Sequence, residues 1–463
     1  RVDRQRAVFG AWYEIFPRST SAVKGGHGTF RDCIQRLDEI AHMGFDVLYL
    51  PPIHPIGFKF RKGRNNSLTA EPGDPGSPWA IGSELGGHTE IHPELGTLQD
   101  FKELVYVASQ KGIEIALDIA FQCSPDHPWL KSHPDWFQIR PDGSIRYAEN
   151  PPKKYQDIHP LNFECNDWQN LWNALRDVFL YWIRQGVKIF RVDNPHTKPF
   201  AFWEWCLEEV YRDNPDVIFL AEAFTRPKLL KRLAKGGFTQ SYTYFTWRND
   251  KQGLTEYMTE LTTSECREYL RPNFFANTPD ILNEFLVNGG QVAFRIRLIL
   301  AATLSATYGI YGPPFELCVN TPFKPGSEEY LDSEKYEIRH WNHDQPQSLR
   351  PLISRVNQIR RANAALQTNQ NLVFHEVSNP ALIAYSKVSN DRSDRILVVV
   401  NLNPFETAIG MLKIDLSYFD IDASRDFLAH DLLTDDYYRW HGCEQYIELS
   451  PDRTAHLFSI SQD

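Results

Sequence analysis

Asp193 closes the apolar run 187–193 (VKIFRVD), and Glu222 closes a second such run at 217–222 (VIFLAE). Two carboxylates at the ends of two strand-like runs suggest chemistry at a glycosidic carbon. Breaking that bond takes one carboxylate that stays ionised as nucleophile and another that carries a proton to the leaving group. Strand side chains alternate in direction, so Arg191 and Asp193 point the same way and the guanidinium can hold Asp193 ionised. Asp193 therefore suits the nucleophile and Glu222 the acid. Taken alone, an Asp at a strand end is more often a loop cap, so the rest of the chain must decide.

The elements that would carry these residues read as a parallel α/β layout. Apolar runs alternate with amphipathic helical patterns from about residue 9 to residue 366, as a (β/α)8 barrel of the TIM type requires, and such a barrel gathers its chemistry at the C-terminal strand ends. Between Phe121 and a helix near Asp167 lies a stretch rich in Pro, His and Asp, too long for an ordinary connection. It reads as an inserted loop domain, 121–166, walling a cleft. A second Gly- and Pro-rich loop, about 58–88, covers the same rim. From 367 the pattern becomes short alternating runs broken by turn residues, which predicts an antiparallel β-sandwich over 367–463 behind a catalytic barrel at 1–366.

Four segments, 112–121 (GIEIALDIAF), 186–196 (GVKIFRVDNPH), 217–224 (VIFLAEAF) and 274–280 (FFANTPD), resemble in order the strand-end signatures of the α-amylase superfamily of retaining glycosidases and transglycosylases. The resemblance implies that Asp118 is structural, Asp193 the nucleophile, Glu222 the acid/base, and Asp280 the grip on the sugar's 2- and 3-hydroxyls. Where most amylases carry Asn-His after the first Asp and His before the last, this chain has Gln122-Cys123-Ser124 and Pro279. The runs FKFRKGRNNSL, AFQCSPDHPW, ENPPKKYQDIHP, RVDNPHTKPFAFWE, FTWRNDKQGLTEY and YLDSEKYEIR are instead similar to the α-1,4-glucan:maltose-1-phosphate maltosyltransferases. That resemblance places Lys62, Gln122, Asn150, Lys153, Tyr155 and Asn194 at the donor's phosphate, with Asp157 close by, and Lys335-Tyr336 at the far glucose of the maltosyl unit. It implies a donor, α-maltose 1-phosphate, an α-1,4-glucan or maltooligosaccharide acceptor, and no cofactor. The maltosyltransferases carry a β-rich module before the barrel that this chain lacks, which leaves a homodimer open.

Composition fits these expectations. The net charge of −10 argues against a nucleic-acid partner. No continuous run of about 20 apolar residues suggests a membrane span. The seven Cys are scattered and odd in number, which suggests reduced thiols in a cytoplasm, and no His/Cys spacing suggests zinc. His88, His127 and His196 could contact sugar hydroxyls or be structural. Three other readings compete. An amylase-like hydrolase or isomerase shares the carboxylates without needing Lys62 or Gln122. A catalytically inactive amylase-fold binding protein would not need Arg191, Asp193, Glu222 and Asp280 intact. A carbohydrate-binding module would not need a full barrel.

Overall fold

A computed structural model describes residues 3–150 and 153–462, with only the main chain described at Asn150 and Lys153. Eight parallel strands form one sheet: β1 Gly10–Glu14, β2 Val47–Leu50, β3 Glu114–Ile119, β4 Ile189–Val192, β5 Ile218–Ala221, β6 Gln240–Ser241, β7 Phe274–Phe275 and β8 Thr307–Tyr311. Their order is β6-β5-β4-β3-β2-β1-β8-β7. A parallel bridge between Ser241 and Pro272 joins the two ends. It is made by Ser241 N–H to the Arg271 carbonyl at 3.0 Å and Asn273 N–H to the Ser241 carbonyl at 2.9 Å. The sheet is thus closed into a barrel with no free edge.

Alternation along each strand explains both the packing and the site. Ala11, Tyr13, Leu48, Leu117, Phe190 and Phe219 pack outward against the helices. Trp12, Val47, Ala116, Ile189, Ile218, Leu220 and Phe275 fill the interior. Two residues further on, the same inward parity brings Glu14, Tyr49, Asp118, Arg191 then Asp193, and Glu222 to the C-terminal end of the barrel. The interior is apolar below and polar at the lip.

The helices of the outer ring are α1 Phe30–His42, α2 Leu98–Gln110, α3 Trp168–Arg184, α4 Phe200–Asp213, α5 Pro227–Lys235, α6 Lys251–Thr263, α7 Glu284–Leu304 and α8 Arg350–Ala362. Capping boxes start the first two: Thr29 with Asp32, and Thr97 with Asp100, each satisfying orphan N–H groups reciprocally. By length and composition α7 could cross a bilayer, but Arg295 and Arg297 interrupt its apolar run, and it serves as a core helix. Residues Phe294, Ile296 and Leu298 to Leu304 are buried, and the buried Arg297 donates to the carbonyls of Arg248 and Phe245 at 2.6 and 2.7 Å.

After α8 comes a second, antiparallel sheet: β9 Leu372–Val377, β10 Leu382–Val388, β11 Arg395–Asn401, β12 Ala408–Lys413, β13 Asp426–Asp431, β14 Asp436–His441, β15 Glu444–Leu449 and β16 Ala455–Ser461. Its order is β14-β13-β16-β11-β10-β9-β12-β15. In β11, Ile396, Val398 and Val400 join the barrel's core, whereas Leu397 and Val399 join the sheet's own. One face of this sheet therefore closes on the barrel, and Tyr385 hydroxyl meets Thr303 Oγ1 of α7 at 2.6 Å across the junction.

Candidate active site

Strand β4 ends at Val192 and β5 at Ala221, one residue short of each carboxylate, but the ladder continues through their amides. Asp193 N–H donates to the Ile119 carbonyl at 3.0 Å and Glu222 N–H to the Val192 carbonyl at 3.0 Å. Both Cα atoms are therefore fixed at the lip, which is what reacting groups require. Arg191 bridges the pair: Nη1 lies 2.8 Å from Asp193 Oδ1, and Nη2 lies 3.2 Å from Glu222 Oε1. Nη1 also meets Asp118 Oδ2 at 2.9 Å, and that oxygen accepts from Tyr49 hydroxyl at 2.6 Å and Trp79 Nε1 at 3.1 Å. Asp118 is fully buried within this network, away from the cleft surface.

The environments push the carboxyls apart. Burial raises Glu222 to about 8; the charges of Asp193 and Asp280 add to this, while Arg191 and the Asn194 N–H oppose it. At neutral pH Glu222 holds a proton. Asp118 is raised to about 6 by burial, against Arg191. The Asp193 oxygens differ too: Oδ1 carries the guanidinium, whereas among the described residues Oδ2 has only a 3.4 Å contact from Asn194 Nδ2. Oδ2 is the less firmly held, and hence the freer to form a bond.

A cleft of about 210 Å³ above this pair is lined by Asp193, Asn194, Glu222, Asp280, Lys62, Gln122, Tyr155, Asp157, Lys335 and Tyr336, among others. Residues from the loops after β2, β3, β4, β5, β7 and β8 thus meet at one place. Arg191 lies beneath, not in the wall. The side chains of Asn150 and Lys153 are outside the described residues; their main chain forms the ribbon Ala148–Asn150 with Lys153–Tyr155, which carries Tyr155 to the cleft. Lys62 donates to Gln156 Oε1 at 2.5 Å, which among the described residues leaves two of its three N–H bonds for another acceptor. Burial lowers the Lys62 ammonium and Asp157 opposes this, while Asp157 itself is raised to about 6 by burial. Among the described residues Gln122 Nε2 reaches only the Trp79 carbonyl, at 3.4 Å. Lys335 binds Asp280 Oδ1 at 2.5 Å and Glu329 Oε2 at 3.1 Å, so the structure pairs it with the carboxylate of Asp280.

Trp79, Tyr49, Ser77, Trp247 and Gln156 also build the site, and sequence reasoning missed them. Tyr49 shares the inward parity of β2 and could have been found that way. Trp79 and Ser77 sit in an aperiodic loop that offers no such signal.

His88, His127 and Cys123 come together although their spacing suggests no metal: their ligand atoms lie within 4.8 Å of one another. The protons decide the matter. His127 Nδ1 accepts from Trp129 N–H at 3.1 Å, so its Nε2 carries the hydrogen, and that meets His88 Nδ1 at 3.2 Å. His88 Nε2–H is then left to donate to the Ala120 carbonyl at 3.0 Å. Both rings are satisfied, buried and neutral, with no lone pair left for an ion. They brace the loops under the cleft wall instead of touching sugar. His196 is half-buried on the turn after Asp193, and burial lowers it to about 4.

A closed parallel barrel with an Asp/Glu pair bridged by Arg at its lip is the architecture of the α-amylase class. Residues 14–188 match the family model described as alpha amylase, catalytic domain, and residues 374–460 match that described as GLGE, C-terminal. In solved structures the fold is shared with an Anoxybacillus α-amylase (TM-score 0.76, 17% identity, 99% of each chain) and a noncanonic maltogenic α-amylase from Thermotoga neapolitana (TM-score 0.74, 19% identity, 99% of this chain and 100% of that one). Sequence relationship goes further. The chain is 56% identical to an α-1,4-glucan:maltose-1-phosphate maltosyltransferase of Chlorobaculum tepidum, over 100% of this chain and 70% of that protein. It is 54% identical to the maltosyltransferase 1 of Streptomyces coelicolor, over 99% of this chain and 68% of that one. The chain belongs to the maltosyltransferase family.

Proposed function

We propose that this protein moves a maltosyl unit from α-maltose 1-phosphate to the non-reducing end of an α-1,4-glucan, releasing phosphate with retention at the anomeric carbon. Asp193 Oδ2 attacks C1 and forms an ester, while Glu222 gives its proton to the departing phosphate oxygen. Glu222, now ionised, then takes the proton of the acceptor's 4-hydroxyl as that oxygen displaces Asp193 from C1. Asp280 holds the 2- and 3-hydroxyls, Lys62, Gln122 and Asn194 receive the phosphate, and Lys335 and Tyr336 border the far glucose. Unpaired cysteines, seven in all, favour a reducing compartment such as the cytoplasm.

The observation that carries this reading is the Arg191 bridge, which puts Asp193 and Glu222 on two nitrogens of one guanidinium in a cleft that Lys62 also lines. Sharing one guanidinium makes the two carboxyls close neighbours, which supports retention, where the pair stands at roughly 5–5.5 Å. The test supplies maltose 1-phosphate with and without a maltooligosaccharide. Phosphate release coupled to acceptor growth by two glucose units is expected. Glu222→Ala should accumulate a maltosyl adduct on Asp193, seen by intact mass. Liberation of sugar from glucan alone, without use of the phosphorylated donor, would assign the site to hydrolysis.

A further inference from the structure

The turn after the nucleophile contains a feature that the scheme above leaves unused. Asn194 is left-handed (φ 41°, ψ 53°), a costly conformation for a residue with a β-carbon. That twist turns its N–H toward Glu222, to which it donates at 3.1 Å on Oε2. Five residues on from Asp193, the buried Lys198 sends Nζ back to donate to the carbonyls of both Asp193 and Asn194, each at 3.2 Å. No described carboxylate forms an ion pair with this ammonium. Buried charge of this kind is expensive and usually directly paired. Burial lowers the lysine, and the nearby charges of Asp193 and Glu222 work against that.

We infer that Lys198 is a positioning residue for the reaction: by clamping the carbonyls of Asp193 and Asn194 it holds the left-handed turn that aims the Asn194 N–H at the acid/base, and it sets that acid's proton affinity. Two effects act in the same direction. The N–H bond and the fixed positive charge both favour ionised Glu222. Removing Lys198 therefore raises Glu222, and the residue that must alternately hold and release a proton gives it up less readily and becomes a poorer acid in the first half of the reaction. The carbonyl that Lys198 grips on Asp193 belongs to the nucleophile itself, so its side chain loses aim as well.

The inference rests on the roles proposed for Asp193 and Glu222, and the experiment separates the two. In Lys198→Met, kcat should fall about tenfold or more, and the alkaline limb of kcat/KM should move to higher pH by about half a unit or more. Lys198→Arg, which keeps charge and donors, should leave the limb where it is. Lys198→Gln keeps a donor without charge and serves the same comparison should the Met variant fail to fold. Neutral variants whose limb stays in place, with a loss shared evenly across pH, would overturn the inference and leave Lys198 a plain structural residue. Glu222→Gln, assayed with maltosyl fluoride, should have no such limb whatever stands at 198; a persisting limb there would instead overturn the assignment of Glu222.

Discussion

At the scale of single residues, the site is an exercise in sharing one cation among carboxyls. Arg191 serves Asp118, Asp193 and Glu222 at once, which leaves Glu222 undercompensated, and burial then keeps its proton on at about 8. Glycosylation needs that proton, so kcat/KM for the phosphorylated donor should be level through neutrality and fall above about pH 8. Glu222→Gln should abolish the fall together with most of the rate. A wild-type profile that declines already from pH 6 would refute the assignment. Asp280 offers a second residue-scale test, since Lys335 already pairs with it. Hydrogen bonds to the 2- and 3-hydroxyls strengthen as the ring flattens toward the transition state, so Asp280→Ala should lower kcat far more than it weakens donor binding. Equal losses in binding and turnover would make Asp280 a substrate clamp only.

The elements show why some of this was legible and some was not. Strand parity is a local property: from 187–193 alone, Arg191 and Asp193 had to share a side, and their 2.8 Å contact follows from it. The same rule applied to β2 would have yielded Tyr49. Loops carry no period, so Trp79, which donates to Asp118, and Gln156, which accepts from Lys62, had no signature of their own. The pairing of Lys335 with Asp280 joins residues 55 apart in the chain, on two different loops; no spacing announces it. Lys62 tests what the loop at 58–88 contributes. Lys62→Ala removes a charge-assisted contact of about 1.5–3 kcal/mol, which should weaken use of maltose 1-phosphate about ten- to a hundredfold. Maltosyl fluoride has no phosphate to lose, so its use should change little. Equal losses on both donors would show that Lys62 only braces Gln156 and the cleft wall.

Across the whole molecule, the C-terminal sheet read correctly as antiparallel from its short alternating runs, but its relation to the barrel did not. All seven residues of β10 are buried. Nothing in the alternation of that segment announces this, because covering both faces of a strand is a tertiary event that alternation cannot encode. Lys387 shows the cost. It is 1% exposed, its Nζ donates to the Thr368 carbonyl at 2.9 Å in the connection from the barrel, and burial, helped by the Arg360 charge on α8, lowers it to about 7. An unfolded lysine titrates near 10.4. Below pH 7 both states hold the proton and the folded state bears the full penalty of the buried charge. Between about pH 7 and 10 the unfolded state binds more protons than the folded one, so this group makes stability rise with pH, by at most about 1.4 kcal/mol per pH unit. Lys387→Met should be most favourable relative to the parent near pH 6, and that advantage should shrink steadily toward pH 10. Urea midpoints of the two proteins across that range measure it, and parallel curves would mean that Lys387 titrates normally and that the junction is looser than the structure shows.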